Sequence, residues 1–213
     1  MTALVAVEVE REEYRTVRIS ALCQLCVLVV GSLIAACGTG SDAVATGGTF
    51  DFVSPGGKTQ IFYDPPQSRG TVGELSGPDL MVDGKTTAVS DFPGKVVVLN
   101  LWGQWCGPCR AEALQLEKVF AATRDSGVQF LGIVVRDPQK QAARDFVIDF
   151  KVSYPSIWDP VMRTVIALGG QYPTSVIPST LVLDRKHRVA AVFLQALLAE
   201  DLQPVVQRVA AEP

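Results

Sequence analysis

Between Lys95 and Arg110 the chain reads Lys-Val-Val-Val-Leu-Asn-Leu-Trp-Gly-Gln-Trp-Cys-Gly-Pro-Cys-Arg, an apolar run that ends at two closely spaced cysteines. No other stretch constrains the fold as much. Lys95 to Leu101 has strand length and few polar positions, as expected of a central strand covered on both faces. Pro108 suits a first helical turn, where its missing N–H leaves nothing unpaired. Ala111 to Ala122 then carries Leu114, Leu116, Val119 and Phe120, with Glu112, Glu117 and Lys118 between them, and the pattern stops before Asp125-Ser126-Gly127. Val128 to Val135 reads as a second buried strand. Strand, helix and strand in that order predict a right-handed crossover in a parallel pair.

Downstream, Pro138 to Phe150 has a helical period, Asp159 to Leu168 predicts a further short helix ended by Gly169-Gly170, and Thr180 to Asp184 with Val189 to Phe193 has the spacing of a hairpin around Arg185 to Arg188. Leu202 to Ala210 closes the chain as an amphipathic helix. The chain is therefore α/β. Residues 37 to 75 are rich in Gly, Ser, Thr, Pro and Asp and predict a flexible tether with at most one short strand, near Gln60 to Tyr63, before a domain over 76–213.

The chain's 213 residues fit one domain plus an appendage. A net charge of −3 without a basic block argues against nucleic acid as a partner. Ile19 to Ala36 is uncharged, follows Arg15 and Arg18, and ends in small residues before Cys37. That is the order of an export signal over 1–36, although Glu8, Glu10, Glu12 and Glu13 make its start unusually acidic. An uncleaved anchor is the alternative, and either reading places the remainder outside the membrane. Ile34-Ala35-Ala36-Cys37 resembles a bacterial lipobox, which implies cleavage before Cys37 and a lipid on its thiol. Cys23 and Cys26 also form a Cys-x-x-Cys, within the apolar run, where they read as small hydrophobes.

The remaining two cysteines carry chemistry. A thiol at a helix start lies at the positive end of the helix dipole beside free N–H groups, which favour the thiolate. Cys106 is thus the expected nucleophile, more acidic and more exposed than Cys109, which lies one turn along as the resolving thiol. Half of a zinc site is an alternative for such a pair, but a tetrahedral site needs about four ligands, and outside the export segment only Cys37 and the single His187 remain. A structural disulfide is the other alternative, closing too small a loop to stabilise much. No cofactor beyond the pair is expected.

Residues 79 to 210 resemble the thioredoxin fold, through Trp105-Cys-Gly-Pro-Cys109 after a buried strand and through Val176-Ile-Pro178-Ser-Thr-Leu-Val-Leu-Asp184. The resemblance implies a central mixed β-sheet flanked by helices on both faces, and a cis Pro178 facing the cysteines. Proline has no N–H, so neighbouring backbone stays free to pair with a substrate strand. Cytoplasmic thioredoxins carry a buried aspartate where this chain has Asn100, which cannot accept a proton. Together with the lipobox, Asp79 to Gly84 and the long stretch before Pro178, this looks like the extracytoplasmic TlpA/ResA-type proteins, including CcsX-like members. Cys109-Arg-Ala-Glu112 matches that family's Cys-x-x-Glu, which implies that Glu112 tunes the thiols or relays a proton to Cys109. A solvated carboxylate in the first helical turn is the plainer reading. A proline common two residues later is Leu114 here. Trp102 and Trp105 are expected to form the apolar rim around the sulfurs, with simple core packing the alternative for Trp102.

The expected function is a membrane-tethered, extracytoplasmic thiol-disulfide oxidoreductase that acts as a reductant, monomeric and lipid-anchored to the cell membrane. The resemblance implies apocytochrome c, or a factor serving its maturation, as protein disulfide substrate, and a membrane dithiol as electron donor. A general disulfide oxidase, a thiol peroxidase and a non-catalytic module binding apocytochrome or haem are the alternatives.

Overall fold

The computed structural model describes residues 48–213. The expected export segment, the Cys23/Cys26 pair, the expected lipidation site Cys37 and the first part of the expected tether lie outside the described residues.

Among the described residues, eight strands and three α-helices follow one another as β1 (Gln60–Phe62), β2 (Ser76–Pro78), β3 (Thr86–Ala88), β4 (Val96–Trp102), α1 (Gly107–Thr123), β5 (Val128–Val135), α2 (Lys140–Asp149), β6 (Ser156–Asp159), β7 (Ser179–Leu183), β8 (Val189–Phe193) and α3 (Ala199–Ala210). Six of them form one sheet in the order β1-β8-β7-β4-β5-β6, while β2 and β3 pair separately. The sheet is mixed: β4, β5 and β6 run parallel, and β7, β8 and β1 join antiparallel. This is an α/β thioredoxin fold.

Alternate positions of the central strands feed different layers, as the pleat requires. Val96, Val98, Phe130 and Val182 meet Leu116, Val119 and Phe120 of α1 and Leu202, Val206 and Val209 of α3. Farther along the same face, Trp102 and Val134 meet Ala113 of α1 and Ala143, Phe146 and Val147 of α2. Val97, Leu99, Leu101, Leu131 and Ile133 face the other way, where the covering is mostly irregular chain: Phe50, Phe52 and Leu75, with Val165 and Leu168 of a short 3₁₀ helix, Thr164–Leu168.

That second layer corrects the expected tether. From Gly48 onward the chain is part of the domain. β1 closes the sheet by pairing with β8, Gln60 opposite Phe193 and Ile61 opposite Val192. The Arg69 side chain is fully buried and bonds Asp64 at 2.7 Å, Asp184 at 3.3 Å and Glu212 at 2.6 Å, so one guanidinium joins this segment to the hairpin and the chain end. Glycine here permits close approach rather than flexibility: a Cβ on Gly70 would lie 2.5 Å from the Phe50 Cα. The expected helix over Asp159 to Leu168 is also corrected. Asp159 ends β6, and its carboxylate accepts the Arg163 and Thr164 N–H groups at 2.8 Å, so helical structure begins only at Thr164.

Candidate active site

The buried β4 ends at Trp102, and Gly103 to Cys106 turns directly into α1. Gly103 allows the turn to fold on itself, because a Cβ there would meet the Trp105 indole nitrogen. Cys106 is the residue at the helix cap, and its sulfur accepts the Cys109 N–H at 3.1 Å. Pro108 occupies the first helical turn. The helix ends through a tight turn, Arg124–Ser126, and Gly127 at φ 80°.

Cys106 and Cys109 form a disulfide with their Cα atoms 5.3 Å apart. The expected difference in exposure is small in this oxidised form, since both residues are buried. The Ile177–Pro178 peptide is cis, and the Ile177 carbonyl oxygen lies 3.9 Å from the Cys106 sulfur. Trp105 stands at the rim, 48% exposed, whereas Trp102 is buried and stacks on Phe146 with ring centroids 4.5 Å apart. The chain thus brings Cys106, Cys109, Trp105 and the Pro178 loop together at one end of the sheet.

Glu112 is not a solvated carboxylate. It is 2% exposed, whereas Leu114, grouped by the sequence pattern with the apolar face, is 52% exposed. Asn100 donates from Nδ2 to Glu112 Oε1 at 2.9 Å and also reaches Thr180 Oγ1 at 3.1 Å. The Leu197 N–H donates to Glu112 Oε2 at 3.1 Å. Burial pushes the Glu112 carboxyl up to about 7, against the lowering effect of the Asn100 and Leu197 bonds. Asn100, Trp102, Cys109, Ala113, Phe146 and Tyr154 line a cavity of about 10 Å³ behind the disulfide, on the scale of a single water molecule. Burial, with the Glu112 charge next in effect, raises the Tyr154 phenol.

Sequence reasoning did not identify Tyr154 or Tyr172. Tyr172 donates to Ser179 Oγ at 2.9 Å, one residue beyond Pro178, and packs edge-on against Phe52 of the amino-terminal segment at 5.5 Å. Both tyrosines lie outside regular elements, so no periodicity marked them.

Comparison with known proteins agrees with this geometry. Residues 67–206 match the sequence profile of the Redoxin family. The thiol-disulfide oxidoreductase ResA of Bacillus cereus (strain ZK / E33L) is 24% identical over 128 residues, covering 60% of this chain and 71% of that protein. A secreted thiol-disulfide isomerase from Corynebacterium glutamicum shares 45% identity and superposes with a TM-score of 0.75, covering 78% of this chain and 100% of that one. A DsbF homologue from Corynebacterium diphtheriae shares 48% identity with a TM-score of 0.71, covering 76% and 99%. With its cysteine pair at the start of α1 and the Pro178 loop beside it, the chain belongs to the Redoxin family, as a thioredoxin-fold thiol-disulfide oxidoreductase of the ResA/TlpA type.

Proposed function

We propose that the chain is a lipid-anchored, extracytoplasmic reductant of protein disulfides, with the haem-binding Cys-x-x-Cys-His of apocytochrome c, or a maturation factor that passes electrons to it, as substrate. The observation that carries the reading is Glu112, a buried carboxyl titrating near neutral pH and bonded to Asn100, which lines the cavity behind Cys109. In the reduced protein the Cys106 thiolate attacks one sulfur of the substrate disulfide, forming a mixed disulfide and releasing the other substrate sulfur as a thiolate. Cys109 gives its proton toward Glu112 and attacks the Cys106 sulfur. The second substrate thiolate leaves, the substrate has gained two electrons, and Cys106–Cys109 is oxidised. A membrane dithiol returns the pair to the reduced state, and no other cofactor is required. Cys37 holds the monomer at the outer face of the membrane.

Trapping tests this. Cys109→Ala should freeze the mixed disulfide at Cys106, and the captured partner should carry a Cys-x-x-Cys-His; absence of any covalent partner, with Cys106 unreactive to alkylation near neutral pH, would refute the nucleophile. A second reading, a general oxidase or isomerase, is favoured by the higher identity to the corynebacterial isomerase and DsbF homologue. A reduction potential near about −270 mV supports the reductant, and one near about −120 mV the oxidase.

A further inference from the structure

The backbone of Gln104, two residues before Cys106, is held from both sides by oppositely charged side chains. Asp137 Oδ2 accepts the Gln104 N–H at 3.2 Å. Arg110 Nη1 donates to the Gln104 carbonyl oxygen at 3.0 Å. Asp137 is fully buried just after β5, and no cation reaches it in an ion pair among the described residues; its second oxygen accepts the Gln139 N–H at 3.1 Å, at the start of α2. The residue before it, Arg136, has φ 51°, a left-handed conformation that an arginine rarely adopts. Such strain persists only where the surroundings enforce it. Arg110 is held in turn by aromatic faces, its guanidinium carbon 5.6 Å from the Phe146 ring centroid and 5.5 Å from that of Phe150.

A buried carboxylate without a cation is expensive unless N–H donors satisfy it. A loop N–H at this position could equally have been paired by a neutral acceptor. We propose that Asp137 and Arg110 are positioning residues that clamp the Gln104 peptide, and that their opposite charges set the reactivity of Cys106 in opposite directions. Arg110 favours the Cys106 thiolate and Asp137 opposes it. Two further charged side chains belong to elements packed around the pair: Glu112, held by Asn100 and Leu197, and Arg144 of α2, which donates to the carbonyl of Leu80 in the same cluster and pairs with Asp83; residues 173–178 bring no charged side chain. The clamp fixes the geometry of the turn while the balance of the two charges tunes the thiol.

This rests on Cys106 being the attacking thiol. The test uses the full chain, reduced, and follows iodoacetamide alkylation of Cys106 against pH, with the reduction potential measured in parallel. Asp137→Asn keeps the side chain's shape and removes the charge, leaving one acceptor oxygen for the Gln104 and Gln139 N–H groups, and should lower the Cys106 pKa by roughly half a pH unit, about threefold in thiolate fraction, and make the pair more oxidising. Arg110→Gln should shift both readouts the opposite way, and Arg110→Lys should restore most of the pKa without restoring the bond to Gln104. Shifts of the same sign from Asp137→Asn and Arg110→Gln, or none from either, overturn the proposal. If wild-type Cys106 does not alkylate at all, it is the nucleophile assignment that fails instead. Should Asp137→Asn not fold, Arg110→Gln and hydrogen exchange at the wild-type Gln104 amide decide: protection at this loop N–H supports the clamp, and free exchange refutes it.

Discussion

Glu112→Gln should remove a specific pH dependence from the stability of the oxidised protein. In the folded protein the Glu112 carboxyl titrates near 7, against an ordinary value of 4.5, because burial disfavours its charge. The folded state therefore binds this proton more tightly than the unfolded chain does. The stabilisation is fully present below about pH 4.5 and is lost as pH rises through about 7. A shift of this size corresponds to about 3 kcal/mol between the two limits. The variant cannot match both donors, since its NH2 group must face either Asn100 or the Leu197 N–H, so a pH-independent loss of about 1–3 kcal/mol is expected as well. The diagnostic quantity is thus the change with pH of the difference between wild type and variant, not the difference at one pH. Urea denaturation from pH 4.5 to 8.5, disulfide intact, measures it: the wild-type advantage at low pH should shrink by about 3 kcal/mol at high pH. Parallel curves, within about 0.5 kcal/mol over that range, would refute the burial argument and leave Glu112 without its place in proton transfer.

Arg69→Met removes the bonds to Asp64, Asp184 and Glu212 and frees the chain end, while Asp184 keeps Arg188 at 2.8 Å, and should destabilise by about 1–3 kcal/mol, read as a lowered Tm by calorimetry. Tyr172→Phe removes only the bond to Ser179 and should lower stability by about 1 kcal/mol in denaturant titration. Leu114→Lys, at an exposed position, should change stability by less than about 0.5 kcal/mol, and a larger loss would show that this side of α1 is covered.

The central βαβ unit and the hairpin were legible because their apolar positions repeat at the periods of buried strands and helices. The reactive pair was legible because Trp-Cys-Gly-Pro-Cys sits where β4 passes into α1. The amino-terminal layer was not, because its anchors are dispersed: Phe50, Phe52, Ile61 and Leu75 are buried one at a time among glycines and prolines, with no period to reveal them. Composition there reports close backbone contact at Gly70 in the same letters that would spell a flexible tether. The orientation of α1 was inverted at Glu112 and Leu114 for a related reason. A period identifies the apolar face by majority, and a carboxyl turned inward is the exception that such a count discards.

Asn100 and Glu112 together explain how this site dispenses with a strand-borne acid. At position 100 the side chain points into the α1 face of the sheet, behind the disulfide, and the amide there donates to two acceptors without taking up a proton. The carboxyl proposed as proton acceptor stands on the helix instead, one turn beyond Cys109, where Asn100 holds it. The second Asn100 bond ends on Thr180, two residues after Pro178, so the Glu112 carboxyl and the strand that follows the Pro178 loop share one donor. When Glu112 takes up a proton, its oxygens become weaker acceptors for Asn100 and for the Leu197 N–H. On the proposed mechanism, proton transfer at Cys109 would thereby reach β4, β7 and the turn before α3 at once, which a lone surface carboxylate on the first turn of α1 would not achieve.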